Sequence, residues 1–194
     1  MRLLIWNTRG VGKSFFRSIF SRLIQQHGSD VCVLLETQLF GASFAHARRW
    51  ISMAWSTYAV ESKGLSGGIL MMWRQGSIRM DAFHRYEQQV ALVIFESTEG
   101  LWLLSEMYVS TEYKEWRELW SEIFRMVSLG LPSLVAGDFN CIMESHEKMG
   151  NRQYTDGIES REFRKFIDDA GLIDLGYSGP KFIWCNNQDG MARI

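Results

Sequence analysis

The feature that most constrains this chain is a strand, a helix and a second strand within its first 35 residues. Arg2, Leu3, Leu4, Ile5 and Trp6 make a short, largely apolar run of strand character. Val31, Cys32, Val33, Leu34 and Leu35 make another, apolar at every position and therefore read as fully buried. Between them, Phe15, Phe16, Ile19, Phe20, Leu23 and Ile24 recur at three- and four-residue spacing, on one face of a helix. Ser14 stands where it can cap that helix and Gly28 where it can end it. Strands joined by a helix pair in parallel through a crossover, whereas a hairpin needs only a tight turn.

The rest of the chain extends this pattern. A second helical stretch covers 43–55. Five strand-like runs follow at 57–60, 68–73, 78–83, 90–95 and 101–108, separated by turn and charged residues as in an antiparallel meander. Tyr113, Trp116, Leu119, Trp120, Ile123, Phe124 and Val127 give the clearest helical spacing in the chain. A strand at 133–136, a helix at 158–170 closed by Gly171, and a last strand at 182–185 complete the order. About eight strands with helices at both ends predict two packed sheets with helices outside, an α+β sandwich. The chain has 194 residues and no internal repeat or low-complexity linker, so one domain over 1–194 is expected.

Composition narrows the function classes. With 46% hydrophobic and 13% aromatic residues and only 2 prolines, the chain has a core to bury and is not disordered. Its net charge of −1 makes the whole molecule no electrostatic magnet for nucleic acid, so any such contact needs a local cationic rim. The 3 cysteines, Cys32, Cys141 and Cys185, show no CxxC spacing, and a reducing, intracellular compartment fits them. Neither a signal peptide nor an apolar run of about 18 residues is present, so no membrane partner is expected.

Two motifs mislead. Gly10, Val11, Gly12, Lys13 and Ser14 resemble the end of a phosphate-binding loop, but the first glycine of that motif is Asn7 here. The nest of backbone N–H groups would be incomplete, and no nucleotide cofactor is expected. Cys141, His146 and Cys185 lack the tight pair and the fourth ligand of a structural zinc site.

The chemistry-bearing residues stand where apolar strands end. Asn7 follows the first strand, Glu36 the second, Tyr108 ends a later one, and Asp138 and Asn140 follow Leu134, Val135 and Ala136. Strand ends are where a rigid sheet holds side chains at one edge of a fold. The set is rich in oxygen, free of sulfur and nearly free of histidine, which suits Mg²⁺. Singly, each has a plainer reading: a turn for Asn7 with Gly10, an arginine partner for Glu36, a core aromatic for Tyr108, a simple turn at Asp138. Along an extended segment, residues 138 and 140 face the same way, which suits two groups acting on one phosphate.

In order and spacing, WNTRG, LLET, SGGILMMW, WLLSEMYVS, LPSLVAGDFN, ESHEK and LIDLGYSGPKFIW resemble the exonuclease–endonuclease–phosphatase superfamily. The likeness is greatest to the apurinic-endonuclease-like domain of plant LINE-type non-LTR retroelements, and it runs from Met1 to about Ile194. The resemblance implies a four-layer α/β/β/α sandwich of the deoxyribonuclease-I type. It implies a hydrolase that nicks double-stranded DNA with Mg²⁺, or Mn²⁺ in its place, and a nuclear role. By the same resemblance Glu36 is the principal metal ligand, with Asn7 beside it. Asp138 activates the attacking water, Asn140 contacts that water or the scissile phosphate, and Tyr108 binds phosphate. Arg9 lines the substrate-facing rim, and Trp184 resembles an aromatic near that rim, with a place in the core as its other reading.

The family pattern continues past FIW to further aspartate and histidine motifs, and this sequence stops at Ala192, Arg193 and Ile194. The expectation is a truncated domain lacking its last strands, with impaired cutting; the alternative is an inactive remnant that binds Mg²⁺ or nucleic acid weakly. None of His27, His46, His84 or His146 lies in a matching motif. Arg9 occupies a position that is acidic in some relatives, which argues against a second metal. A lipid phosphodiesterase of the same superfamily is a further reading.

Overall fold

The structure of the chain, a computed structural model, describes residues 1–49, 51, 53–64, 66–76, 78–86, 89–96, 100–109, 113–149, 154–180 and 182. The chain forms two compact units, Met1–Asp138 and Phe139–Ile194.

In the first unit the order is β1 (Leu3–Asn7), α1 (Phe16–His27), β2 (Val31–Leu35), α2 (Gly41–Arg48), β3 (Trp55–Val60), β4 (Ile69–Arg74), β5 (Arg79–Tyr86), β6 (Gln89–Glu96), β7 (Gly100–Tyr108), α3 (Tyr113–Val127) and β8 (Ser133–Asp138). Two four-stranded sheets result, ordered β1-β2-β4-β3 and β5-β6-β7-β8. β1 runs parallel to β2, as the crossover helix requires, and β7 runs parallel to β8. The remaining pairings are antiparallel.

The period-two alternation of a strand distributes β2 between two cores. Val31, Val33 and Leu35 join Leu3 and Ile5 in packing against Val90, Leu92, Ile94 and Leu104 of the other sheet. Cys32 and Leu34, with Leu4 and Trp6, pack instead on Phe16, Phe20 and Ala47 from α1 and α2. On the far side, Ala91 and Leu103 of the second sheet meet Met126 of α3. Helices, sheet, sheet and helix therefore form the expected four-layer sandwich. Every apolar residue of β2 is wholly buried because both faces are covered.

Some boundaries differ from expectation. The five runs read as one meander divide between the sheets: β3 and β4 pair next to β2, and only β5, β6 and β7 form the meander. Alternation identifies the buried face of a strand but not its partner, so the exchange of sheets after β4 leaves no mark in the pattern. Ser14 does not cap α1; the helix opens after Phe15, through a turn in which Phe16 N–H donates to the Lys13 carbonyl at 3.0 Å. Gly28 does close it, in the left-handed region at φ 59°, with its N–H on Ile24 O. The second helix is shorter and earlier than 43–55. Ser43 lies inside its first turn, where its hydroxyl accepts from Phe40 N–H at 2.9 Å, and Trp55 already belongs to β3.

Among its described residues the second unit holds a 3₁₀ turn, Ser145–Glu147, and α4 (Ile158–Asp169), followed by Gly171 at φ 61°. Phe163 of α4 packs on Phe139 with ring centroids 5.0 Å apart. Arg164 donates to the Met143 carbonyl and pairs with Asp156. Of the strand expected at 182–185, Phe182 is described outside any strand and the rest lies outside the described residues. Among the described residues no helix is long and apolar enough to cross a membrane.

Candidate active site

The two parallel pairings bring strand ends to common edges. Asn7 ends β1 opposite Leu35, the last residue of β2, so Glu36 emerges beside it. Tyr108 ends β7 directly opposite Asp138, the end of β8. Asn7 then joins the sheets: its Nδ2 donates to Glu36 Oε1 at 2.5 Å and to Asp138 Oδ2 at 2.7 Å. One carboxamide thus supplies both of its protons to two carboxylates, the charge-assisted kind of hydrogen bond that is shorter and stronger than a neutral one. The Asn7 Oδ1 accepts from Arg9 N–H at 3.3 Å, which fixes which way the amide points.

Local backbone places each group. An extended continuation of β2 would send Glu36 to the helix-covered face, opposite to Leu35. Its φ of 50° turns it back toward Asn7. Left-handed backbone costs a non-glycine residue roughly 1–2 kcal/mol, and Arg9 (φ 48°) and Gln38 (φ 55°) share it. Thr8, which is buried, steadies this turn: its Oγ1 donates to Leu35 O at 2.9 Å and lies 3.3 Å from Glu36 O. At β8 the enabling residue is Gly137, where a Cβ would overlap the Met107 carbonyl. Only glycine lets β8 lie this close to β7 and set Asp138 opposite Tyr108.

Electrostatics tie Tyr108 and Arg9 to the same place. The Tyr108 phenol is held above its ordinary value, first by burial, then by the Glu36 and Asp138 carboxylates, while Arg9 opposes the shift. Four of the expected residues, Asn7, Glu36, Tyr108 and Asp138, therefore converge, with the Arg9 guanidinium in their field. Asn140 lies at the start of the second unit with left-handed backbone, φ 46°, and belongs to the description of that unit. Trp184 lies outside the described residues.

Sequence reading passed over Thr8, Gly137 and Glu106. All three lie inside the quoted motifs, yet the work of the first two is done through backbone contacts that appear only in the fold. Glu106 is wholly buried on β7, one pleat before Tyr108 on the same face. Both its carboxyl oxygens lack a hydrogen-bond partner among the described residues, and burial pushes its pKa up to about 8.

The donor set fits a hard cation. The Asn7 contact uses Glu36 Oε1. Mg²⁺ needs one or two carboxylates and keeps waters and substrate oxygens for the rest. Among the described residues no three His, Cys, Asp or Glu side chains cluster into a closed cage.

No family model and no curated protein matches the chain. Solved structures do match in fold. AP endonuclease LMAP from Leishmania major superposes with a TM-score of 0.64 at 13% identity, over 87% of this chain and 66% of that one. A mannosyl-6-phosphatase from Bacteroides thetaiotaomicron gives 0.52 at 14% identity, over 71% of this chain and 64% of that one. An endonuclease/exonuclease/phosphatase family protein from the same bacterium gives 0.51 at 15%, over 71% and 62%. The chain spans just under two thirds of the length of each of these structures. These likenesses establish the fold, the layered α+β architecture seen in endonuclease/exonuclease/phosphatase proteins.

Proposed function

We propose that this chain is the hydrolytic domain of a Mg²⁺-dependent endonuclease that nicks double-stranded DNA, of the kind carried by LINE-type retroelements. The observation that carries the reading is the Asn7 carboxamide clasping Glu36 at 2.5 Å and Asp138 at 2.7 Å across the two sheets. The strand-end motifs and the AP endonuclease likeness support DNA as the substrate. Glu36 is the residue that holds Mg²⁺, or Mn²⁺ in its place. When bound, the cation neutralises charge on the phosphate oxygens as a Lewis acid.

The chain's own groups account for the remaining steps. Asp138 orients a water in line with the scissile bond and accepts its proton as the water oxygen bonds to phosphorus. The P–O bond to the leaving strand breaks, releasing a 3′-oxygen that takes up a proton from solvent. The Tyr108 phenol, kept protonated by burial and the adjacent carboxylates, donates to a non-bridging phosphate oxygen. Arg9 pairs with phosphate at the rim. Asn7 holds Glu36 and Asp138 at fixed spacing, a preorganisation that makes the site ready before substrate arrives.

A plasmid-nicking assay tests the proposal. Supercoiled DNA should relax in Mg²⁺ but not in EDTA, and Glu36→Ala should abolish the relaxation. Nicking that survives Glu36→Ala, or an absence of nicking alongside cleavage of a phosphorylated sugar or lipid headgroup, overturns it.

A further inference from the structure

We infer that Gly68 is a positioning residue for the Glu36 carboxylate, the closing half of a clamp whose other half is Thr8; this rests on the reading of Glu36 as part of the hydrolytic site. Residues 36–38 leave β2 with φ of 50° at Glu36 and 55° at Gln38, so they cannot continue a regular strand. They are nevertheless bonded on both sides. On one side, Gly10 N–H donates to Glu36 O at 2.8 Å and Val11 N–H to Thr37 O at 3.1 Å. On the other, Thr37 N–H donates to Gly68 O and Gln38 N–H to Gly67 O, each at 3.1 Å. A strained turn persists only where its surroundings over-determine it, and these contacts do so.

Gly68 is where the clamp tolerates no side chain. At φ 89°, a Cβ there would stand 2.6 Å from Thr37 Oγ1, 3.1 Å from Ser62 Cβ and 3.2 Å from Ser62 N. Thr37 is 1% exposed and Ser62 7% exposed, so neither has open space to move into. The Thr37 hydroxyl has no hydrogen-bond partner among the described residues, so its packing against the bare Cα of Gly68 is steric. Any side chain at 68 displaces Thr37, and Thr37 is bonded directly to Glu36. The 2.5 Å contact from Asn7 to Glu36 is the first thing such a displacement loosens.

The test reads that contact without depending on catalysis. The Asn7 side-chain amide, identified by its loss in Asn7→Ala, should resonate well downfield in a ¹H–¹⁵N spectrum of the whole chain. In Gly68→Ala it should move toward the ordinary carboxamide position, and Thr37→Ala added to Gly68→Ala should move it back. Gly76→Ala is the matched control for left-handed strain, since Gly76 has φ 82° and nothing within 4 Å of its Cβ position; it should leave the resonance in place. If the wild type nicks DNA, Gly68→Ala should lower kcat at least tenfold with KM for DNA changed less than twofold. Should Gly68→Ala fail to fold, Thr8→Val removes the hydroxyl on the opposite flank and should shift the same resonance. An unmoved Asn7 resonance in folded Gly68→Ala, or in Thr8→Val where the first variant is unfolded, overturns the inference. A wild type that shows the resonance changes but no nicking leaves the clamp standing and sinks the proposed function instead.

Discussion

Replacing Glu106 by glutamine should remove a pH-dependent burden on stability. Glu106 is wholly buried on β7, in register with Val90 on one side and Ala136 on the other, neither of which offers a counter-charge. Arg85 lies at the next position along that register, on β5. Burial raises the carboxyl from its ordinary 4.5 to about 8. Below pH 4.5 the folded and unfolded chains both carry the proton, and no pH dependence arises. Between about 4.5 and 8 the unfolded chain has lost the proton while the folded chain keeps it, so folding becomes less favourable as pH rises. Each pH unit in that window costs about 1.4 kcal/mol, which makes roughly 3 kcal/mol at pH 7 and roughly 5 kcal/mol once pH passes 8. Glu106→Gln keeps the shape and does not titrate. Chemical denaturation of both proteins at pH 5.5 and 7.5 should show the variant gaining roughly 3 kcal/mol on the wild type across those two units. Thermal melts should show the gap as about 6–12 °C for a chain of this size. Curves that stay parallel across the range would refute the reasoning, because they would mean that Glu106 is ionised in the fold and has found a partner.

Asn7→Ala removes both protons of the clasp and leaves the Glu36 and Asp138 carboxylates facing each other; nicking rate should fall about 10²–10³-fold, measured at saturating DNA with folding checked by circular dichroism. Mg²⁺ at about 100 times its dissociation constant should stabilise the folded chain by about 2.7 kcal/mol, and Glu36→Gln should abolish most of that gain in a melting titration. Burial pushes the Cys32 thiol up to about 12 and Cys141 up to about 11. At pH 8 neither should react with a maleimide or disulfide reagent at a free-thiol rate, and Cys32 labelling should track global unfolding; rapid labelling of native Cys32 would contradict its burial.

The layered architecture was legible because its signals are local and redundant. The alternation and full apolarity of β2, the helical spacing of α1 and α3 and the strand-helix-strand order each point to covered sheets, and all survive in the structure. What was not legible depends on pairing across distance. Whether β4 leads into β5 within one sheet or crosses to another is decided by which apolar faces meet, and a period-two pattern is identical in both cases. The cap of α1 failed for a related reason. Ser14 is a good N-cap in isolation, but the turn through Lys13 and Phe16 sets the helix start one residue past Phe15.

The site shows the same division more sharply. The residue types at the strand ends announced oxygen chemistry, and Asn7, Glu36, Tyr108 and Asp138 do converge. Yet strand-end placement alone would put Glu36 on the wrong face. Its aim depends on a left-handed φ at a residue that disfavours it, and that conformation is held by Thr8, Gly10, Val11, Gly67 and Gly68, most of them far from Glu36 in sequence. Asp138 likewise owes its place to the missing side chain of Gly137. Residue identity therefore specifies the chemistry, while geometry is delegated to small or backbone-bonded neighbours whose contribution is the absence of a Cβ or the presence of one N–H. The corollary is that substitutions at Gly68 and Gly137, which carry no functional group at all, should damage the site as much as removing a carboxylate, whereas Gly76→Ala, with the same backbone strain and open space around it, should cost stability alone.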